Sequence, residues 1–134
     1  MRLVIDANVL FSFFWKGSTT RMLIDRLALD LIAPEYALDE LQKYASLIRK
    51  KSKITVQEWR DEVRLMQEVV AFMPVEFYSS KLAKARTLCP DPDDVDYIAL
   101  AMKLKCPVWS NDIKLKQQIA VQVFNTSEIM QLRV

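Results

Sequence analysis

The chain has 134 residues, 51% of them apolar, and a formal net charge of +2. That size suits one domain with a real core, the apolar share excludes disorder, and no stretch approaches the roughly 18 uncharged apolar residues of a membrane span. There is no histidine. Its absence excludes Ser-His-Asp and Cys-His catalysis, histidine-ligated zinc and any histidine general base.

In chain order, residues 2–5 form a short, apolar, β-branched run that reads as a buried strand ending at Asp6-Ala7-Asn8. Three apolar residues before an acid fall short of the about 7–15 of a signal peptide, so the chain is read as cytoplasmic. Val9 to Trp15 is strongly apolar, either a helical turn packed under a sheet or a partly exposed partner surface. Gly17, the only glycine, marks a turn with Ser18-Thr19-Thr20 and a helix N-cap. Met22, Leu23, Arg26, Leu27 and Leu29 give that helix a mostly apolar face. Leu31-Ile32-Ala33 reads as a second strand, and Pro34 as the first residue of a helix running to a basic end at Arg49–Lys53. That basic end compensates the helix dipole or contacts phosphate. Glu40 lies beside the buried face of this helix.

Thr55 is predicted to cap a third helix with an apolar stripe of Trp59, Val63, Met66, Val69, Val70 and Met73, stopped by Pro74. The stripe reads as core or a dimer face. Val75–Tyr78 alternates and is a candidate strand. Ser79 or Ser80 caps a helix through about Leu88. The Asp91–Asp94 turn leads into a helix with Ile98, Ala99, Ala101, Met102 and Leu104 inside. Pro107–Ser110 reads as a strand, Lys114–Gln118 as a short helix, Val121–Phe124 as a last strand and Ser127–Leu132 as a closing helix. Short apolar strands alternating with helices predict one α/β domain over residues 1–134, with a mainly parallel sheet covered on both faces. Cys89 and Cys106 lack metal-ligand spacing and read as reduced structural thiols.

Ligands in such sheets bind outside the carboxyl ends of the strands. Asp6 and Asp112 each follow a strand, and Asp94 opens the helix that feeds the strand before Asp112. These three acids are therefore expected to meet at one edge. Packed carboxylates repel unless a cation sits among them, and an all-oxygen set without histidine suits Mg²⁺ or Mn²⁺. Two such ions about 4 Å apart support in-line attack on a phosphodiester. Glu40 is a fourth oxygen ligand or holds a metal-bound water. Asn8 and Ser110 are placed to hydrogen-bond the carboxylates and fix their rotamers. With four acids set aside, the rest of the chain holds 19 basic against 13 acidic side chains, a net of +6 that suits a polyanion substrate.

Asp6-Ala7-Asn8, Glu40 in a helix after Pro34, Asp91-Pro92-Asp93-Asp94 followed by Ala99-Leu100-Ala101, and Trp109-Ser110-Asn111-Asp112 together resemble the PIN domain. Among its members they are similar to small prokaryotic PIN proteins that include VapC-like toxins. The resemblance covers almost the whole chain. It implies an α/β/α sandwich with a central five-stranded parallel sheet, frequent homodimers and Mg²⁺- or Mn²⁺-dependent ribonuclease activity on RNA. It assigns the four acidic positions to Asp6, Glu40, Asp94 and Asp112. Asp96 also precedes the Ala-Leu-Ala run, but its distances to Ala99 and Asp112 are two residues short of the pattern; it lies half a turn from Asp94, within approach of the site. Asp91 and Asp93 shape the turn and cap the helix. Lys103, Lys105, Lys114 and Lys116 are either solvated or line a substrate groove.

Three alternatives remain at this level. One is a non-catalytic PIN-like module that binds RNA or protein. Another is a toxin silenced by an antitoxin peptide on the surface around Phe11–Trp15. The third is a phosphotransferase with a nucleophilic Asp6, which would require a second aspartate where Asn8 stands.

Overall fold

A computed structural model describes residues 1–14, 18–118 and 120–132. The expectations that rest on Trp15 and Gly17 lie outside the described residues. Five strands form one sheet: β1 (Arg2–Ile5), β2 (Asp30–Pro34), β3 (Val70–Met73), β4 (Val108–Trp109) and β5 (Val123–Phe124), in the order β3-β2-β1-β4-β5. All pairings are parallel. The helices are α1 (Ala7–Ser12), α2 (Thr19–Arg26), α3 (Tyr36–Lys43), α4 (Ala45–Ser52), α5 (Val56–Val69), α6 (Val75–Tyr78), α7 (Leu82–Leu88), α8 (Val95–Leu104) and α9 (Thr126–Gln131). They cover both faces of the sheet.

Parallel strands need helical crossovers, and burial on both faces explains why β1 and β4 are apolar throughout their cores. Leu3, Val4, Ile5, Val108 and Trp109 are all fully buried, as are Ile98 to Ala101 of α8. Phe14 stacks on Trp59 at 4.5 Å between centroids, and Met66 is fully buried, so the α5 stripe packs into the core at those positions. Val9, Leu10, Phe13 and Phe14 are buried too, while Phe11 stays partly open.

The sheet departs from the sequence expectation at its edges. The third strand is Val70–Met73, and Val75–Tyr78 is a helical turn. A helical stripe and a buried strand look alike over four apolar residues. Pairing decides the matter here, since Leu31 to Pro34 of β2 register with Val70 to Met73. Pro34 therefore ends a strand instead of opening a helix; the Glu35 amide that follows donates to the Met73 carbonyl (2.8 Å). The single helix expected from Pro34 to the basic end at Arg49–Lys53 is broken at Tyr44 (φ −104°, ψ 9°) into α3 and α4, with no proline or glycine to mark the break. Thr55 caps α5 as expected, in a reciprocal capping box with Glu58. Neither Ser79 nor Ser80 caps α7; both lie in a 3₁₀ turn, and the helix starts at Leu82. The last strand is shorter than the apolar run. The Gln118 side chain accepts from the Val121 amide (3.0 Å) and donates to its carbonyl (2.8 Å), which takes Val121 out of the ladder.

Candidate active site

The order β3-β2-β1-β4-β5 places the topological switch point between β1 and β4: the chain leaves β1 toward one edge and returns to β4 on the other side. Crevices at such points, beyond the carboxyl ends of the strands, are where open α/β sheets bind ligands. A cavity of about 390 Å³ opens there. Asp6, Glu40, Asp94 and Asp112 all line it, joined by Asp91, Asp93, Asn8 and Tyr97. The four acids singled out from sequence thus share one chamber.

Each arrives on a different element. Asp6 follows β1, and its backbone amide donates to the Trp109 carbonyl of β4 (3.1 Å). Its carboxylate caps α1, accepting the Val9 amide at Oδ1 (3.0 Å). The other oxygen, Oδ2, accepts a short hydrogen bond from the Ser110 hydroxyl. Ser110 in turn accepts the Asp112 backbone amide (3.1 Å), so one hydroxyl ties the ends of β1 and β4 together. Asp112 folds back on its own loop, accepting the Lys114 amide (2.9 Å). Glu40 comes from α3, where the Tyr97 hydroxyl of α8 donates to its Oε1 (2.9 Å). Asp94 precedes the first residue of α8, and Tyr97 lies three residues on, on the same helical face. The α8 backbone therefore sets Glu40 relative to Asp94.

Electrostatics mark the chamber as short of positive charge. Burial pushes the Asp6 carboxyl up, and Asp112 adds to this; the Ser110, Val9 and Asn8 hydrogen bonds oppose it. Asp94 is pushed up to about 6, first by burial and then by Asp112, Asp91, Asp6 and Asp93. Glu40 is raised by burial and by Asp93 and Asp6, against the Tyr97 hydrogen bond and Lys43. Asp94 Oδ2 is buried with no hydrogen-bond partner. A buried, orphaned carboxylate oxygen facing other carboxylates is costly unless a cation joins it.

Among the described residues no group of three or more Asp, Glu or Cys side chains is arranged to hold a metal ion as it stands. The donor chemistry nevertheless fits a hard divalent cation: the candidate ligands are all oxygen, raised carboxyls surround them, and Asp94 Oδ2 lacks any other partner.

Asp96 points elsewhere: its Oδ2 accepts the Tyr78 hydroxyl (2.5 Å), and it does not line the cavity. Asn8 lines the cavity, and its backbone amide helps hold Asp6. Asp91 takes the capping role expected of it, accepting the Asp93 amide (2.9 Å), yet both residues also face the cavity. Among the four lysines considered for a groove, Lys116 pairs with Glu128 and the Lys103 ammonium lies 5.9 Å from the Phe77 ring centroid; none lines the cavity. Lys51, from the basic end of α4, does. Sequence reasoning missed Tyr97 as the partner of Glu40. Its only local signal was the three-residue step from Asp94.

Comparison with known proteins bears on the fold and the family. No curated protein matches the chain. Among solved structures, a chain from the crystal structure of VapBC2 from Rickettsia felis, bound to a DNA fragment from the promoter, matches with a TM-score of 0.64. The match covers 93% of this chain and 98% of that one at 16% identity, a likeness of fold. A family model described as the PIN domain matches residues 4–132. The α/β/α sandwich with its five-stranded parallel sheet is the PIN-like fold, and the chain belongs to the PIN domain family, whose members are generally nucleases.

Proposed function

We propose that the chain is a divalent-metal-dependent ribonuclease that hydrolyses RNA phosphodiester bonds. The observation that carries this reading is the meeting of Asp6, Glu40, Asp94 and Asp112 in one cavity at the switch point, with Asp94 Oδ2 buried and unpartnered. Asp6, Asp94 and Asp112 would hold Mg²⁺ or Mn²⁺, with Glu40 as a further ligand or as the holder of an attacking water. A bound divalent cation would supply Lewis acidity and a stronger water nucleophile at neutral pH.

The chain's own residues do the positioning. Ser110 keeps Asp6 and the start of the Asp112 loop in fixed relation. Tyr97 holds Glu40 against the helix that carries Asp94. Substituents locked by such bonds lose little freedom when substrate enters. The fold likeness to a VapBC2 chain supports a further proposal, that the protein is the toxin of a toxin–antitoxin pair and has a small antitoxin partner.

The test is cleavage of an end-labelled RNA by wild type and Asp94→Asn, each with Mg²⁺, with Mn²⁺ and with EDTA. Cleavage by wild type alone, and only with metal, is the expected result. Equal cleavage by both proteins would sink the assignment of Asp94.

A non-catalytic binding module is the second reading. It is favoured by the lack, among the described residues, of a group already arranged to hold an ion. Mn²⁺ calorimetry separates the two: the module would release no binding heat at the acidic cluster.

A further inference from the structure

A second cavity, of about 430 Å³, lies at the other end of the sheet and shares no residue with the acidic one. The segments that lead into β4 and β5 form two of its sides, so it opens outside the amino ends of those strands. Lys105, just past the last turn of α8, and Lys81, from the 3₁₀ turn before α7, stand on its walls, and Gln122 completes the polar lining. The ten residues of α8, about 15 Å of helix, separate these lysines from Asp94.

The surroundings are basic and uncompensated. From Phe77 to Pro90, and again from Tyr97 to Asn111, the chain carries Lys81, Lys84, Arg86, Lys103 and Lys105 and no acid. Among the described residues none of these five makes an ion pair; Lys103 faces the Phe77 ring instead. Asp30, whose charge reaches Cys106 in the cavity wall, is held by Arg2 (3.1 Å). Lys81 is half-buried without a counter-ion. Lys105 stands where a glycine would be less strained: it ends α8 at φ 55°, ψ 48°, in the left-handed region that a side chain disfavours. The Cys106 amide donates to the Ala101 carbonyl (3.2 Å) and closes the turn around it. Ending the helix needs no ammonium at that position. A cavity wall with a second lysine on it gives the ammonium a use.

We propose that this cavity and the basic face beside it dock the phosphate backbone of RNA, away from the cleaved bond. One phosphate lies between Lys81 and Lys105, with the Gln122 amide as a further donor, and Lys84 and Lys103 extend the face for its neighbours. Phosphate contacts of this kind fix the position of a strand without reading its sequence. The proposal rests on the nuclease reading above and deepens it: the preferred substrate is long enough to follow α8 from one end to the other. An acidic peptide would also suit the charge. The single helix that joins this face to the acids favours the molecule those acids would cut.

The test is fluorescence anisotropy of a labelled single-stranded RNA in EDTA, where nothing is cleaved and the bare acids repel the strand. It compares the wild-type chain, the double variant Lys81→Ala/Lys105→Ala, the single variant Lys105→Gly, and Arg60→Ala/Arg64→Ala on α5 as a control of equal charge. The lysine double variant is expected to bind at least about tenfold more weakly, and the slope of log affinity on log salt to fall by about 1.4, at ~0.7 for each phosphate of a single strand. The arginine control should bind as wild type. Lys105→Gly should melt higher than wild type, because the left-handed strain is relieved, and still bind RNA several-fold more weakly, a pair of changes that misfolding does not produce. Equal affinity and slope in wild type and the lysine double variant, or an equal loss in the arginine control, overturns the docking site. Displacement of the RNA by poly-glutamate as readily as by unlabelled RNA overturns it too, and leaves the face to an acidic protein segment. If wild type cleaves no RNA with Mg²⁺ or Mn²⁺, the nuclease reading fails separately, and the anisotropy result still decides the docking site.

Discussion

Removing the charge of Asp94 should stabilise the protein while abolishing its proposed chemistry. The Asp94 carboxyl is pushed from the ordinary 3.8 up to about 6, by burial and then by Asp112, Asp91, Asp6 and Asp93. A raised acid binds its proton more tightly in the folded chain than in the unfolded one. Folded stability therefore falls as pH rises from about 4 to 6, and the penalty is complete above 6. Each tenfold change in proton affinity is worth about 1.4 kcal/mol, which would give ~3 kcal/mol at neutral pH. The side chain is only half-buried, and solvent screening reduces this to roughly half, about 1.5 kcal/mol. For a domain of this size that corresponds to a rise in Tm of about 5 °C for Asp94→Asn in EDTA at pH 7.5. At pH 5 the gap should narrow. Saturating Mn²⁺ should reverse the order, because only wild type gains from binding. Calorimetric melts at the two pH values, with EDTA and with Mn²⁺, read all of this. A Tm for Asp94→Asn at or below wild type in EDTA at pH 7.5 would refute the argument that these carboxylates are held against their mutual repulsion.

Three other substitutions probe the supports of the site and the core. Tyr97→Phe removes only the hydroxyl on Glu40 and keeps the ring against Tyr36 (6.4 Å); it should cost about 1 kcal/mol in a denaturant titration and lower kcat roughly tenfold with little change in KM. Ser110→Ala strips the buried Asp6 carboxylate of a donor; a loss of about 1–3 kcal/mol is expected, with weaker Mn²⁺ binding by calorimetry, and an unchanged affinity would show that Ser110 does not position Asp6. Met66→Ala opens a hole in a fully buried position and should cost about 2–5 kcal/mol in urea unfolding without altering Mn²⁺ affinity, since α5 contributes no wall of the acidic cavity.

Much of this protein could be read from local pattern. Leu3-Val4-Ile5 before Asp6 and Val108-Trp109 before Ser110 are short, β-branched or aromatic apolar runs, the pattern of a parallel strand covered on both faces. An acid placed just past such a strand must lie at its carboxyl end, because the chain direction fixes that end. The start of α8 after Asp-Pro-Asp-Asp, the Thr55 cap of α5 and the lack of histidine were equally local, and they restricted the site to oxygen chemistry.

What local pattern could not decide is which elements stand side by side. Ser110 reaches Asp6 across 104 positions and Tyr97 reaches Glu40 across 57, contacts that exist only because β1 pairs with β4 and α8 packs across β1 and β2. The third strand went to Val70–Met73 because β2 offered it a ladder, a non-local hydrogen-bond gain that no four-residue window contains. The fate of Asp96 was likewise a matter of direction. Two residues from Asp94 it faces nearly the opposite way on a helix of 3.6 residues per turn, and Tyr78 waits there to donate. The break at Tyr44 carries no glycine or proline, so its place in the cavity belongs to the tertiary structure alone. Sequence determined the strands β1, β2 and β4 and the place of each acid along the chain. Packing determined their neighbours, because side-chain periodicity is local and the pairing of strands is not.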